Sequence, residues 1–281
     1  MERIRKSNKI VNSEPYLIES VDLAAKLGSE NLLVIDLGSL EEYQNCHVPG
    51  AIHLDYRKLR SETKPAAGLL PPLADIVSAL QRAGISENHY VVAYDHGNNA
   101  AACRLLWTLA LIGHTSYSLL DGGMTAWSND GHITETRMVN AKPSKLNITL
   151  DDSVIADKSY VLASLNNPDI QILDARSPEE YRGMKSASDR KGRIPGAISL
   201  NWLDTIDFEN QNRLLSKTHL LRMLEERGFR KDREIIVHCQ THQRSSHSFV
   251  MLKHLGFPRV RGYAGSWSEW AADESLPVEN G

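Results

Sequence analysis

The chain has 281 residues, enough for two domains of ordinary size. Its 32 basic and 35 acidic residues leave a formal net charge of −3 and alternate along the chain, which excludes the basic stripe of a nucleic-acid-binding protein. Hydrophobic residues reach 41%, enough for two cores, yet no apolar run is long enough to cross a bilayer, and the polar, basic segment 1–9 reads as a frayed terminus and not as a signal peptide.

Three cysteines, Cys46, Cys103 and Cys239, are too few and too odd in number for a disulfide framework. They point to a reducing compartment, and a cytoplasmic location is the expectation.

In chain order, residues 32–35 form a short apolar run ending at Asp36, the pattern of a buried parallel strand. Glu41-Glu42-Tyr43 and then Pro49-Gly50-Ala51-Ile52 follow. Residues 73–83 place apolar side chains at helical spacing and stop at Gly84, a C-cap. Residues 91–94 predict a second buried strand ending at Asp95. An apolar helix over 101–112 stops at Gly113, and Leu120-Asp121-Gly122-Gly123 leads to Trp127. Residues 138–148 are polar and poor in β-formers, which marks a linker.

Beyond the linker the pattern repeats. A strand ends at Asp174, Glu179-Glu180-Tyr181 follows, and Pro195-Gly196-Ala197-Ile198 comes after eight extra residues around 185–192. A helix over 217–227 stops at Gly228, a strand over 234–238 ends at Cys239, and a helix reaches to Leu255 before Gly256. Gly265-Ser266-Trp267-Ser268-Glu269-Trp270 closes the copy. The expected domains are 13–137 and 149–281. The expected fold is α/β, each domain a mainly parallel sheet with helices on both faces and chemistry at the carboxyl ends of strands.

The copies differ where a strand hands over to a helix. The second reads His238-Cys239-Gln240-Thr241-His242-Gln243-Arg244-Ser245, whereas the first has Asp95 at the cysteine position. Loop amides after a strand converge on one point, the next helix adds its N-terminal partial charge, and Arg244 adds a full positive charge. A thiol held so, and left accessible by a polar loop, ionises easily and becomes a nucleophile. Gln240, Thr241, His242, Gln243 and Ser245 complete the loop, with His242 set to tune its charge near neutral pH. Asp95 makes the first copy a scaffold. Cys103 falls in a core helix. Cys46 beside His47 is weak ground for metal or catalysis, and no cluster has zinc-ligand spacing, so no metal is expected. Structural roles are expected for His47 and Asp95, and core packing for Trp267 and Trp270. Cysteine phosphatases and arsenate reductases use a related loop, but here only four residues separate Cys239 from Arg244. A phosphatase loop has one residue more. The shorter cradle suits a single sulfur atom better than a phosphate.

With Asp174-Ala175-Arg176, Gly192-Arg193-Ile194-Pro195-Gly196-Ala197 and the two Gly-containing turns, the chain resembles a tandem-domain rhodanese along nearly its whole length. The resemblance implies a sulfurtransferase with a silent first domain and an active second one. Cys239 would take sulfane sulfur from thiosulfate as a persulfide and pass it to cyanide or a thiol, without a cofactor. It also implies donor-binding arginines at the places of Arg182 and Arg190, whereas Arg193 is read as structural. The loop resembles a bacterial branch whose loop begins Cys-Gln-Thr-His, and it lacks the glycines of the mammalian thiosulfate and mercaptopyruvate loops. Its bulk and charge favour a compact anion. The alternatives are a 3-mercaptopyruvate sulfurtransferase and a persulfide carrier protein. No membrane or nucleic-acid partner is expected, and paired domains in one chain suggest a monomer.

Overall fold

The computed structural model describes residues 12–62 and 66–280, so the terminal segment 1–9 lies outside the described residues. Each half folds around a five-stranded sheet. From edge to edge, the first sheet runs Leu17–Ile18, Tyr117–Leu120, Tyr90–Tyr94, Leu32–Asp36, Ile52–His53. The second runs Ile155–Ala156, Val260–Tyr263, Glu234–His238, Ile170–Asp174, Ile198–Ser199, the same order. All pairings in both sheets are parallel.

Continuous apolar strands are buried on both faces, and strand geometry sends alternate side chains to opposite sides. Val91 and Ala93, with Ile235 and Val237, point into one core that both halves share. Val92 and Tyr94 point into a core of the first half alone, and Ile236 into one of the second. The helices Ala100–Leu111 and Arg244–His254 pack against each other and fill the shared core. Each immediately follows the central strand of its sheet, so the two loops that precede them come to one interface.

The repeat is visible in the caps. Ser39 with Glu42 and Ser177 with Glu180 form matching capping boxes at the helices that follow Asp36 and Asp174. Residues 138–148 hold no helix or strand and lie as a strap on the first half. The Val139 amide donates to the Tyr43 hydroxyl at 3.1 Å, and the Ser144 amide to the Gln81 carbonyl at 2.9 Å.

One element had no sequence signal. Ile206–Asp207 and Arg213–Leu214 form a short antiparallel ribbon in the second half. It bolts onto the first: Arg213 pairs with Glu19 at 3.1 Å and Asp130 at 2.6 Å, and the Leu214 amide donates to Asp121 at 2.9 Å.

Candidate active site

Cys239 is the first residue after the strand Glu234–His238, and the helix Arg244–His254 begins five positions later. The loop between them closes around the sulfur. The amides of Thr241 and Ser245 and the Ser245 hydroxyl hydrogen-bond to it, and Arg244 lies against it. Burial alone pushes the thiol pKa up. Arg244, Ser245 and Thr241 together outweigh that and hold it below its ordinary value.

The turn after Val260–Tyr263 fixes the root of the loop. The Trp267 amide donates to the Cys239 carbonyl and the Ser268 amide to the Gln240 carbonyl, both at 3.0 Å. The Ser266 hydroxyl accepts the Cys239 amide at 3.2 Å. This explains the Gly265-Ser266-Trp267-Ser268 motif. Trp267 and Trp270 are fully buried, as their core assignment required.

Arg244 divides its charge. It makes a bidentate pair with Glu180, 2.6 and 2.9 Å, and also bonds the cysteine sulfur. Burial opposes the guanidinium charge, but Glu180 and Cys239 raise its pKa further. Glu180 is held in turn by its own capping box, so the cap geometry positions the loop's cation. Below the loop, Asp174 and Arg176 form a wholly buried ion pair, and Arg176 also donates to the Gly192 carbonyl at 2.9 Å. Breaking such a pair on one side costs about 3–5 kcal/mol.

Two expectations need correction. The first is an accessible sulfur. Cys239 is 0% exposed, because loop, helix and the Arg244–Glu180 pair enclose it. A donor must enter at the rim. Gln243 and Arg244 line one cleft of about 380 Å³, and Gln240 and Thr241 line another of about 800 Å³.

The second is His242 as a neutral-pH sensor. Its side chain is fully buried, edge-on to Trp107 at 4.5 Å. Burial, with Arg104 and His238 nearby, drives its pKa well below the ordinary value, so the ring is neutral. Its Nδ1 lies 2.7 Å from the Ser245 hydroxyl. Because that hydroxyl also bonds the sulfur, the consistent assignment has Nδ1–H donating to Oγ while Oγ–H donates to sulfur. His242 also has φ +57°, so it occupies the left-handed position for which a glycine is the usual residue.

The arginines named from resemblance separate. Arg182 is exposed, and its guanidinium makes no hydrogen bond among the described residues. Arg190 is tied instead to the Asp273 and Leu276 carbonyls at 2.7 and 3.0 Å, where it pins the extra loop to the C-terminal segment. Arg193 pairs with Glu279 and lies over the Tyr181 ring, a structural role. Cys103 is buried with its thiol pKa pushed well above normal by burial, the setting of an inert core cysteine. His47 is buried, stacked on Tyr43, and bonds its carbonyl at 2.6 Å.

In the first half the same loop is filled by its own side chain. The Asp95 carboxylate accepts the amides of Gly97, Asn99, Ala101 and Ala102 at 2.8–3.3 Å. It stands where an anionic sulfur would.

The sequence reading missed the first half's share of the site. Arg104, fully buried, donates to the His242 carbonyl at 3.3 Å, Leu59 at 3.3 Å and Gly68 at 2.8 Å. Tyr56 belongs to the same charged neighbourhood. Burial pushes its pKa up to about 12, while Arg104 and Arg60 pull it down and Cys239 adds to the rise. An arginine inside an otherwise apolar helix, Ala101-Ala102-Cys103-Arg104-Leu105, was the available signal. Gly68 has φ +101°, and a Cβ there would lie 2.5 Å from the Thr241 carbonyl. Gly68→Ala should therefore lower stability by about 2 kcal/mol or more and displace the loop. Chemical denaturation together with steady-state kinetics checks both effects.

Two parallel-sheet α/β domains meet at one interface, and one of them carries, in a loop of hydrogen-bond donors, a cysteine whose pKa lies below its ordinary value. The Rhodanese-like domain model matches residues 20–130 and 157–273. The chain belongs to the rhodanese family. It is 38% identical over 267 residues to the thiosulfate sulfurtransferase of Azotobacter vinelandii, covering 95% of this chain and 98% of that one. It is 37% identical over 265 residues to the thiosulfate sulfurtransferase of Pseudomonas aeruginosa, covering 94% and 97%. SseA of Escherichia coli, a 3-mercaptopyruvate sulfotransferase, superposes with a TM-score of 0.81 at 25% identity, covering 90% of this chain and 99% of that one.

Proposed function

We propose that the protein moves sulfane sulfur from thiosulfate to cyanide or a thiol through a Cys239 persulfide. The Cys239 thiolate attacks the outer sulfur of thiosulfate. The S–S bond of the donor breaks, sulfite leaves with its electron pair, and Cys239–S–S⁻ remains. The observation that carries this reading is the sulfur's own environment: burial is outweighed by Arg244, Ser245 and Thr241. The same donors are placed to hold the persulfide's terminal charge. The relatives named for thiosulfate support that donor over 3-mercaptopyruvate.

In this reading residues 13–137 are the silent domain, 138–148 the linker and 149–281 the catalytic domain. No helix of the described residues is long and apolar enough to cross a membrane. A cytoplasmic monomer with a Cys-Gln-Thr-His loop remains our reading. Purified protein should convert thiosulfate and cyanide to thiocyanate, with a specificity constant for thiosulfate above that for 3-mercaptopyruvate. The reverse order would transfer the assignment to the α-keto acid. Arg182, free and exposed near the extra loop, is the first candidate for holding the donor dianion. Arg182→Gln should raise the KM for thiosulfate roughly tenfold, the loss of one charged hydrogen bond, with little change in kcat.

The pH dependence of stability follows from the buried imidazoles. Burial lowers the pKa of His238, of His242 and, to about 4, of His247, each from an ordinary 6.5. Below that ordinary value the unfolded chain binds more protons than the folded one. Stability should then fall as pH drops below about 6.5. Urea midpoints measured across this range check it, and an unchanged midpoint down to pH 5 would contradict it.

A further inference from the structure

The cleft of about 380 Å³ at the rim of the loop has two walls. One is the second half: Trp202, Gln243 and Arg244, the last of which bonds the Cys239 sulfur. The other is the silent loop of the first half, with Asp95 and His96. Asp95 is occupied by its own loop amides. His96 is not. Its Nε2 lies 2.8 Å from the Asp36 carboxylate, which is fully buried and also accepts the Gly38 amide at 2.7 Å. That contact fixes Nε2 as the protonated nitrogen. Nδ1 is left as a lone-pair acceptor with no hydrogen bond among the described residues.

A carboxylate-oriented imidazole in a cleft beside the nucleophile's loop is the arrangement of a general base. The donor half of the reaction has no use for one, because thiosulfate arrives as an anion and Cys239 is already acidic. The acceptor half does. A thiol of ordinary acidity, pKa about 8.5, is only a few per cent ionised at neutral pH. Resting on the sulfurtransferase reading above, we propose that His96 is the base of the second half-reaction, and that this cleft is where a small thiol acceptor binds.

In that step Nδ1 takes the thiol proton. The thiolate sulfur attacks the outer sulfur of Cys239–S–S⁻, the S–S bond breaks, Cys239 leaves as thiolate, and the acceptor departs as R–S–S⁻. One sulfur atom moves without net oxidation, and the proton returns to solvent. Burial lowers the pKa of His96, but the bond and charge of Asp36, with Glu42 and Asp95, more than reverse this. The imidazolium that forms is therefore stabilised. The charged and titratable groups around it are Asp36, Glu42, Asp95 and Tyr94 from its own half, and Arg244 across the cleft.

His96→Gln keeps an N–H for Asp36 and removes the basic nitrogen. The enzyme is first loaded with thiosulfate, and the persulfide is read by mass as the gain of one sulfur atom. Its discharge is then followed in single turnover with 2-mercaptoethanol and, separately, with sulfite, which attacks through a lone pair at alkaline pH. The variant should load at the wild-type rate and discharge to sulfite normally. Its discharge to 2-mercaptoethanol near neutral pH should fall roughly 10²-fold. Free imidazole should restore part of that rate, and the deficit should close as pH rises through the thiol's own pKa. Equal loss with both acceptors, or no loss with the thiol, overturns the role of His96. Failure of wild-type enzyme to load at all instead overturns the thiosulfate reading. If His96→Gln is unstable, His96→Asn in the same loaded-state assay serves, since loading itself reports a folded site.

Discussion

Cys239→Ser should abolish thiocyanate formation from thiosulfate and cyanide, a loss on the order of 10⁴-fold or more in kcat. A serine hydroxyl in the same cradle receives the same hydrogen bonds but stays protonated and forms no persulfide. The fold should survive, because the loop is held by groups other than the sulfur: the Trp267 and Ser268 amides on its root and Arg104 on the His242 carbonyl. Circular dichroism of the variant should match wild type. Mass analysis after thiosulfate treatment should show one extra sulfur atom in the wild type and none in Cys239→Ser. Cys103 cannot substitute, since burial keeps its thiol protonated. Thiosulfate turnover retained by the variant would remove the basis of the mechanism.

Arg104→Met should reduce activity roughly 10²-fold while changing stability far less. Arg104 is a buried cation with no carboxylate partner among the described residues; burial lowers its pKa to about 10. Three carbonyls and the face of Trp107, 4.7 Å away, compensate for its desolvation. Methionine fills similar volume and removes that desolvation cost, but it leaves the three carbonyls short of a donor. The two effects oppose each other, so the net change in stability should stay within about 2 kcal/mol. The effect on the site has no such cancellation. The His242 carbonyl loses its anchor, and a displacement of about 1 Å at a reacting centre costs around 10²-fold. A positive charge near the Cys239 thiolate is also lost, so the rate of persulfide formation should shift to higher pH. Arg104→Lys separates the two causes: it keeps the charge but cannot bridge three carbonyls. Pre-steady-state sulfite release across pH reads both variants. Wild-type rates in Arg104→Met would show that the first half is a passive scaffold.

Much of the fold was legible because its signals are local. Short apolar runs between helical stretches require parallel strands covered on both faces. Matching Glu-Glu-Tyr and Pro-Gly-Ala segments required two copies. The ribbon of residues 206–214 was not legible, since its strands are two residues each and gain their stability by docking on Asp121 and Asp130 of the other half. The accessible sulfur and the titrating His242 were misjudged for one reason. Polar residues in a loop look solvated in sequence, and here the loop is closed between two domains.

Residue order by itself marked the candidate nucleophile. A β-branched strand that stops at a cysteine, followed by a short polar loop and an arginine before a helix, aims backbone donors at that sulfur wherever the chain folds. Tertiary structure alone decided what surrounds the loop, because those contacts join residues 64 or more positions apart. It set Arg104 on the His242 carbonyl, turned Arg244 toward Glu180, and brought His96 to the wall opposite Arg244. Charge acts through distance in space, and in this protein that distance is set by two helices packed across a single shared core.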